Sequence, residues 1–200
     1  MQQAISQFEL NIKSVKNLHQ LHKAFSNQDP LLDLSEILRS EIVLSVSALD
    51  CFVHDLIRLG TTEIYLGVRV FDHKNSIKPD FEIKELIYLL TQPKDYQISA
   101  IDKYVRETNN TKSFQTPINI STNLLKIGVD NIWFKVSKSM NIPQKEIEKT
   151  LELIINRRNQ IVHEADIDFQ RNVKREINPD ETISNVEFIQ NVCNSIFKNR

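Results

Sequence analysis

Three glycines in two hundred residues is the sharpest deficit in this chain. Glycine supplies the positive φ of tight β-turns, so its scarcity argues for helices. No glycine-rich phosphate loop exists either, which removes the common nucleotide-binding folds. The two cysteines, Cys51 and Cys193, lie far apart without CxxC spacing. That pattern fits a reduced, cytoplasmic setting better than a disulfide scaffold. Cys51 sits among Leu, Val and Ile, where a thiol keeps a high pKa and makes a poor nucleophile. The chain has no HExxH motif and no Cys/His cluster, so neither a zinc site nor any other cofactor is expected. No apolar run reaches membrane-spanning length. The N-terminus lacks a basic region followed by an apolar one, so no secretory signal is expected. The net charge is only −1 at pH 7. A nucleic-acid partner therefore needs a local cluster of Lys and Arg rather than a global basic surface. No internal repeat or low-complexity tract is present.

What the chain has in quantity is helical periodicity. Ile5, Phe8, Ile12, Val15, Leu18, His22 and Phe25 recur at steps of three and four, which predicts a helix from about Gln3 to Ser26. It ends at the breaker NQDP, Asn27–Pro30. His19 and His22 share its surface, but no third ligand lies nearby, so a buried His22 is expected rather than a metal site. A second helix should be capped by Asp33, with Glu36 at the capping-box position, and run to Leu59 before Gly60. It is apolar over much of its circumference and is expected to be central. Its polar residues include Arg39, Glu41, Asp50, His54 and Asp55. Asp50 and His54 lie four apart on one face, as a local pair or as groups that receive a charge from elsewhere. Residues 71–80 read as a loop and 81–90 as a short helix before Pro93. Another helix is expected over Ser99–Glu107, then a loop over Thr108–Thr122 packed through Phe114 and Ile118. An apolar turn follows at Leu124–Ile127, then a helix over Asp130–Ser139 with the single Trp133. The charged stretch after His163, up to Glu181, reads as irregular, and Ile183–Phe197 as a closing helix. The fold class expected is all-α, a helical bundle. The chain suits one domain, residues 1–200, with a core over about 30–170 and a C-terminal helical extension over about 181–198.

The chemistry concentrates in RRNQIVHEAD, Arg157–Asp166, which closes a helix starting near Pro143. At about 100° per residue, Ile147, Leu151, Ile154, Ile161 and Ala165 form one stripe with Arg158 in its middle. Asn159 and His163, four apart, share the neighbouring face. A guanidinium on a packing stripe needs a partner. Arg158 therefore snorkels to a groove, meets a carboxylate, or lines a wet cleft. An imidazole, a guanidinium and an amide together suit phosphate chemistry. The first moves protons near neutral pH, the second grips phosphate oxygens with two parallel bonds, and the third orients either. Arg157 and Lys149 are candidates for extra positive potential nearby.

These residues resemble the R-(four to six residues)-H signature of the HEPN superfamily. Four segments in order, RSEIVLSVSALDCFVHDLI (Arg39–Ile57), SFQTPINI (Ser113–Ile120), DNIW (Asp130–Trp133) and RRNQIVHEAD, are together similar to the RiboL-PSP-type HEPN group. The resemblance implies a HEPN-like bundle with added short helices and a metal-independent endoribonuclease acting as a homodimer on RNA. It implies His163 in proton transfer, Arg158 stabilising phosphate charge and Asn159 in positioning. Asp50 and His54, by their spacing on the second helix, are the candidates to stand behind them and receive Arg158. It also implies toxin or phage-defence biology, with an antitoxin or defence protein as partner. The alternatives are a non-catalytic module that dimerises and binds RNA or protein, or a regulatory subunit docking through Glu164–Glu181. In HEPN toxins paired with a nucleotidyltransferase, a tyrosine stands two residues after the motif. Here that position is Ala165, so control by its modification does not carry over.

Overall fold

Periodic apolar side chains fix where the long helices form, and the helices then share one core. A computed structural model describes residues 1–70 and 82–200. The helices are α1 (Gln2–Gln28), α2 (Ser35–Tyr65), α3 (Ile83–Leu90), α4 (Lys94–Asn109), α5 (Pro117–Leu125), α6 (Ile132–Met140), α7 (Gln144–Glu164) and α8 (Pro179–Lys198). A two-stranded antiparallel hairpin, β1 (Ile167–Asp168) and β2 (Val173–Lys174), pairs Ile167 with Lys174 between α7 and α8. The all-α helical bundle expected from sequence is what the chain forms. The loop expected over 71–80 and the helix start at Phe81 lie outside the described residues.

The centre is α2, as its all-round apolar surface implies. It packs against α1, α4, α5, α7 and α8. Val46, Leu49, Phe52, Val53 and Leu56 are buried along it. Phe8 and Ile12 of α1 and Val186, Ile189, Val192 and Ile196 of α8 enter the same cluster. The terminal helices are thus part of the core and not appended to it. Phe8 meets Phe52 with ring centroids 5.3 Å apart, in a tilted arrangement typical of aromatic pairs.

Several boundaries differ from expectation for identifiable reasons. Asp33 does not cap α2; Leu34 holds the cap position, and Asp33 Oδ1 accepts from Ser35 N at 3.0 Å just outside the helix. Glu36 turns instead towards Arg39 and Lys174. Gly60 does not stop α2 either, since the helix runs on to Tyr65. A Cβ there would lie 2.8 Å from Ile127 Cδ1 and 2.8 Å from the Met1 side chain. This glycine serves close packing, not termination. The loop expected over Thr108–Thr122 is half helix. Thr116 Oγ1 caps α5 by accepting from Asn119 N at 3.3 Å, and Pro117 opens the first turn. Phe114 is buried as expected, but Ile118 is 72% exposed on the outer face of α5. The charged stretch after His163 is only partly irregular: four of its residues pair in the hairpin, 175–178 follow without regular structure, and α8 begins at Pro179.

The α1–α2 contact buries an acid. Glu41 is fully buried; His19 Nδ1 lies 3.0 Å from its Oε2, and its Oε1 has no partner. Among the described residues no group of three metal-ligating side chains forms, here or elsewhere. Burial raises the Glu41 carboxyl above its usual range and outweighs His19, which lowers it. Burial also lowers His22, helped by His19. A carboxyl raised in the fold contributes stability below its unfolded value and loses it as pH rises towards the folded value. Glu41→Gln carries a neutral amide throughout. Its stability relative to the wild type should therefore climb as pH rises above about 4, the usual value of an unfolded glutamate. Urea denaturation across that range checks this; a constant difference contradicts it.

Candidate active site

Helix α7 starts at Pro143 and carries Glu146 in its first turn, where a negative charge suits the helix dipole. Ile147, Leu151, Ile154 and Ile155 are buried against the core. The stripe ends there. Ile161 is only half-buried, and Ala165 is an exposed C-cap in the left-handed region, φ 50°. The expected continuation through Ile161 and Ala165 is thus corrected: the last two turns of α7 leave the core and face a cleft. Of the three fates open to Arg158, the wet cleft is the one adopted.

That cleft has a volume of about 480 Å³ and is lined by Ser47, Asp50, Ser113, Gln115, Arg158, Asn159 and His163. One wall is the polar edge of α2. A second is the segment between α4 and α5. The third is the end of α7. Two larger clefts exist, of about 560 and 510 Å³. Neither brings a histidine and an arginine together. A smaller cleft, of about 180 Å³, holds His54 with Arg58 and Arg106, but both guanidiniums there are paired with carboxylates, Asp55 and Asp102. A histidine beside an arginine that no described carboxylate pairs marks the Arg158 cleft.

Within it, Arg158 Nη1 donates to Asn159 Oδ1 at 3.1 Å. Its Nε is buried without a hydrogen-bond partner. No carboxylate pairs with this guanidinium among the described residues. A half-buried guanidinium without a carboxylate partner favours an anion, because an unpaired charge is costly to bury. His163 is exposed in the last turn of α7 and makes no hydrogen bond among the described residues. Its ring is free to approach a ligand from the same wall.

Asp50 lines the cleft, but it does not receive Arg158. Its Oδ1 accepts from Phe114 N at 2.5 Å and lies 3.4 Å from Ser113 Oγ. His54 is turned away from the cleft. Its Nε2 lies 3.6 Å from Asp50 Oδ2 and 3.1 Å from Lys112 O, and its ring stacks on Phe114 at 4.2 Å. The two residues hold the 112–114 segment onto α2 and so set the wall that carries Ser113 and Gln115. The reason is geometric: the backbone N–H of Phe114 takes the carboxylate, while Arg158 gives a single bond to the neighbouring Asn159.

Arg157 does not add potential to the cleft. Its guanidinium makes two bonds to Asp166, at Nη1 and, at 2.9 Å, Nη2. Lys149 is exposed and does not line the cleft. Desolvation of the Cys51 thiol, with Asp55 and Asp50 beside it, pushes it up, against a nucleophilic role. Ser47, Ser113 and Gln115 were not singled out as site residues from sequence, although all three fall in two of the segments that carry the HEPN resemblance. Asp166 was missed because EADID reads as a solvated charge run.

A family model described as RiboL-PSP-HEPN matches residues 6–198. The chain belongs to this HEPN family. The match includes most of α1 and all of α8, so the family's extent is wider than the 30–170 span carried by the four segments. No curated protein and no solved structure matches the chain. In this HEPN chain no described helix is long and apolar enough to cross a membrane.

Proposed function

We propose that this HEPN protein is a metal-independent endoribonuclease acting as a homodimer. The observation that carries the reading is the unpaired Arg158 guanidinium in the same cleft as the exposed, unbonded His163. Cleavage proceeds by internal phosphoryl transfer. The ribose 2′-hydroxyl gives its proton to one His163 and attacks phosphorus. The 5′-oxygen leaves and takes a proton from a second His163. The products are a 2′,3′-cyclic phosphate and a 5′-hydroxyl. Arg158 stabilises the charge that builds on the non-bridging oxygens, and Asn159 holds the guanidinium.

Two histidines serve two proton transfers, and one chain supplies a single motif. A two-fold dimer with the α7 ends facing supplies both. Cytoplasmic toxin or phage-defence action, restrained by a partner protein, is the biological setting proposed. A second reading, a non-catalytic binding module, draws on α3, where Ile83, Ile87, Tyr88 and Leu90 are exposed.

Purified protein incubated with mixed RNA in EDTA tests the reading. Fragments ending in a cyclic phosphate, absent with a His163→Ala preparation, are expected. Cleavage that persists in the variant, or no cleavage by either, contradicts it.

A further inference from the structure

Asp166 lies two residues beyond α7, amid charged residues, yet it is fully buried. Cations from three elements converge on it. Arg39 Nε of α2 donates to Oδ2 at 2.7 Å. Arg157 of α7 makes its two bonds. Arg175 Nη1, after β2, lies 3.9 Å from Oδ1. The backbone is held as well: Asp166 N donates to Gln160 O at 3.0 Å, and Arg175 N donates to Asp166 O at 2.8 Å. Ala165 and Asp166 both occupy the left-handed region, at φ 50° and 60°. Two consecutive non-glycine residues there are strained, and such strain persists only where surrounding contacts hold it.

Three consequences follow for the cleft. Arg157 and Arg158 are chemically alike and point about 100° apart on the helix. Holding Arg157 on Asp166 fixes the rotation of α7 so that Arg158, and not Arg157, faces the cleft. Arg39 and the cleft residues Ser47 and Asp50 belong to the same helix, so the Arg39 bond sets the spacing between two walls of the cleft. The two N–H groups of Ala165 and Asp166 both reach Gln160 O, which secures the turn bearing His163.

We propose that Asp166 is the positioning residue of this cleft: by sequestering Arg157 and tying α7 to α2, it aims Arg158 and His163 at one phosphodiester. It touches no substrate itself. Its catalytic consequence rests on the nuclease reading; its structural consequence does not.

The test compares wild type with Asp166→Asn, Arg157→Gln and the double variant, all at a temperature where circular dichroism shows each fully folded. Amide exchange over residues 161–165 should speed up about tenfold or more in Asp166→Asn, while residues 147–155 keep their protection. On RNA, kcat should fall about 10- to 100-fold with KM within about twofold, because misaiming by about 1 Å costs that much without weakening binding. The double variant should be no worse than the worse single one, since both act through one device. Wild-type kcat in fully folded Asp166→Asn, or additive losses in the double variant, overturns the proposal. If the wild type cleaves no RNA, the nuclease reading fails. Exchange then decides alone: a loosened last turn supports positioning, and an unchanged one overturns it.

Discussion

Replacing His163 with alanine lowers RNA cleavage by about 10²- to 10⁴-fold, the usual worth of a positioned acid–base group. The loss falls on kcat. Arg158 and the α2 wall remain to hold the phosphodiester, so KM changes little. Stability should move by no more than about 0.5 kcal/mol, because an exposed side chain without a hydrogen bond leaves nothing unsatisfied behind. This pairing of outcomes separates a chemical role from a structural one. An imidazole kept only to complement the helix C-terminus would show the reverse, a small stability loss and no change in rate. Single-turnover cleavage and urea denaturation on the same preparations provide both numbers.

Replacing Asp166 with alanine has the largest effect on stability. The change strips the ion-pair partner from Arg157, leaves the buried Arg39 only the more exposed Glu36 at 3.3 Å, and removes the side-chain bonds that help hold the two left-handed residues. Breaking a buried pair by deleting one partner costs about 3–5 kcal/mol. For a domain of this size that lowers Tm by roughly 6–20 °C, at about 2–4 °C per kcal/mol. Asp166→Asn keeps the shape and one acceptor, so it should lose less. A drop below about 1 kcal/mol for the alanine variant would show that the arginines find water or other acceptors, and that the cluster is a surface feature.

The long helices were legible because burial enforces their spacing. The stripes of α1, α2 and the first half of α7 lie largely at the positions their periodicity gives, although Phe25, the last member expected on α1, is exposed near the helix end. Sequence failed where one residue type serves two purposes. Gly60 looks like a helix stop and is instead a close approach to Ile127. Two other signals were in plain view and underweighted: Thr116-Pro117 and Asn178-Pro179 are each a cap followed by a first-turn proline. Asn178 Oδ1 does accept from Asp180 N and Glu181 N. For the cleft, helical projection brought Arg158, Asn159 and His163 to one end of α7. It could not show that two adjacent arginines divide their roles, since that depends on a carboxylate nine residues on and on Arg39, far away in sequence. Nor could it show that Asp50 is taken by the Phe114 backbone, because that contact is set by the path of a loop. Charge patterns state how many ions a segment carries, but tertiary contacts decide which of them reach water.

The central claim is that one motif is incomplete and that two chains build one site. Titrating His163→Ala protein into the wild type under conditions of subunit exchange tests it most directly. If each cleft needs both histidines, activity follows the square of the wild-type fraction, and an equal mixture retains about one quarter of it. A linear fall, with about one half retained, would mean that each chain works alone and would contradict the account.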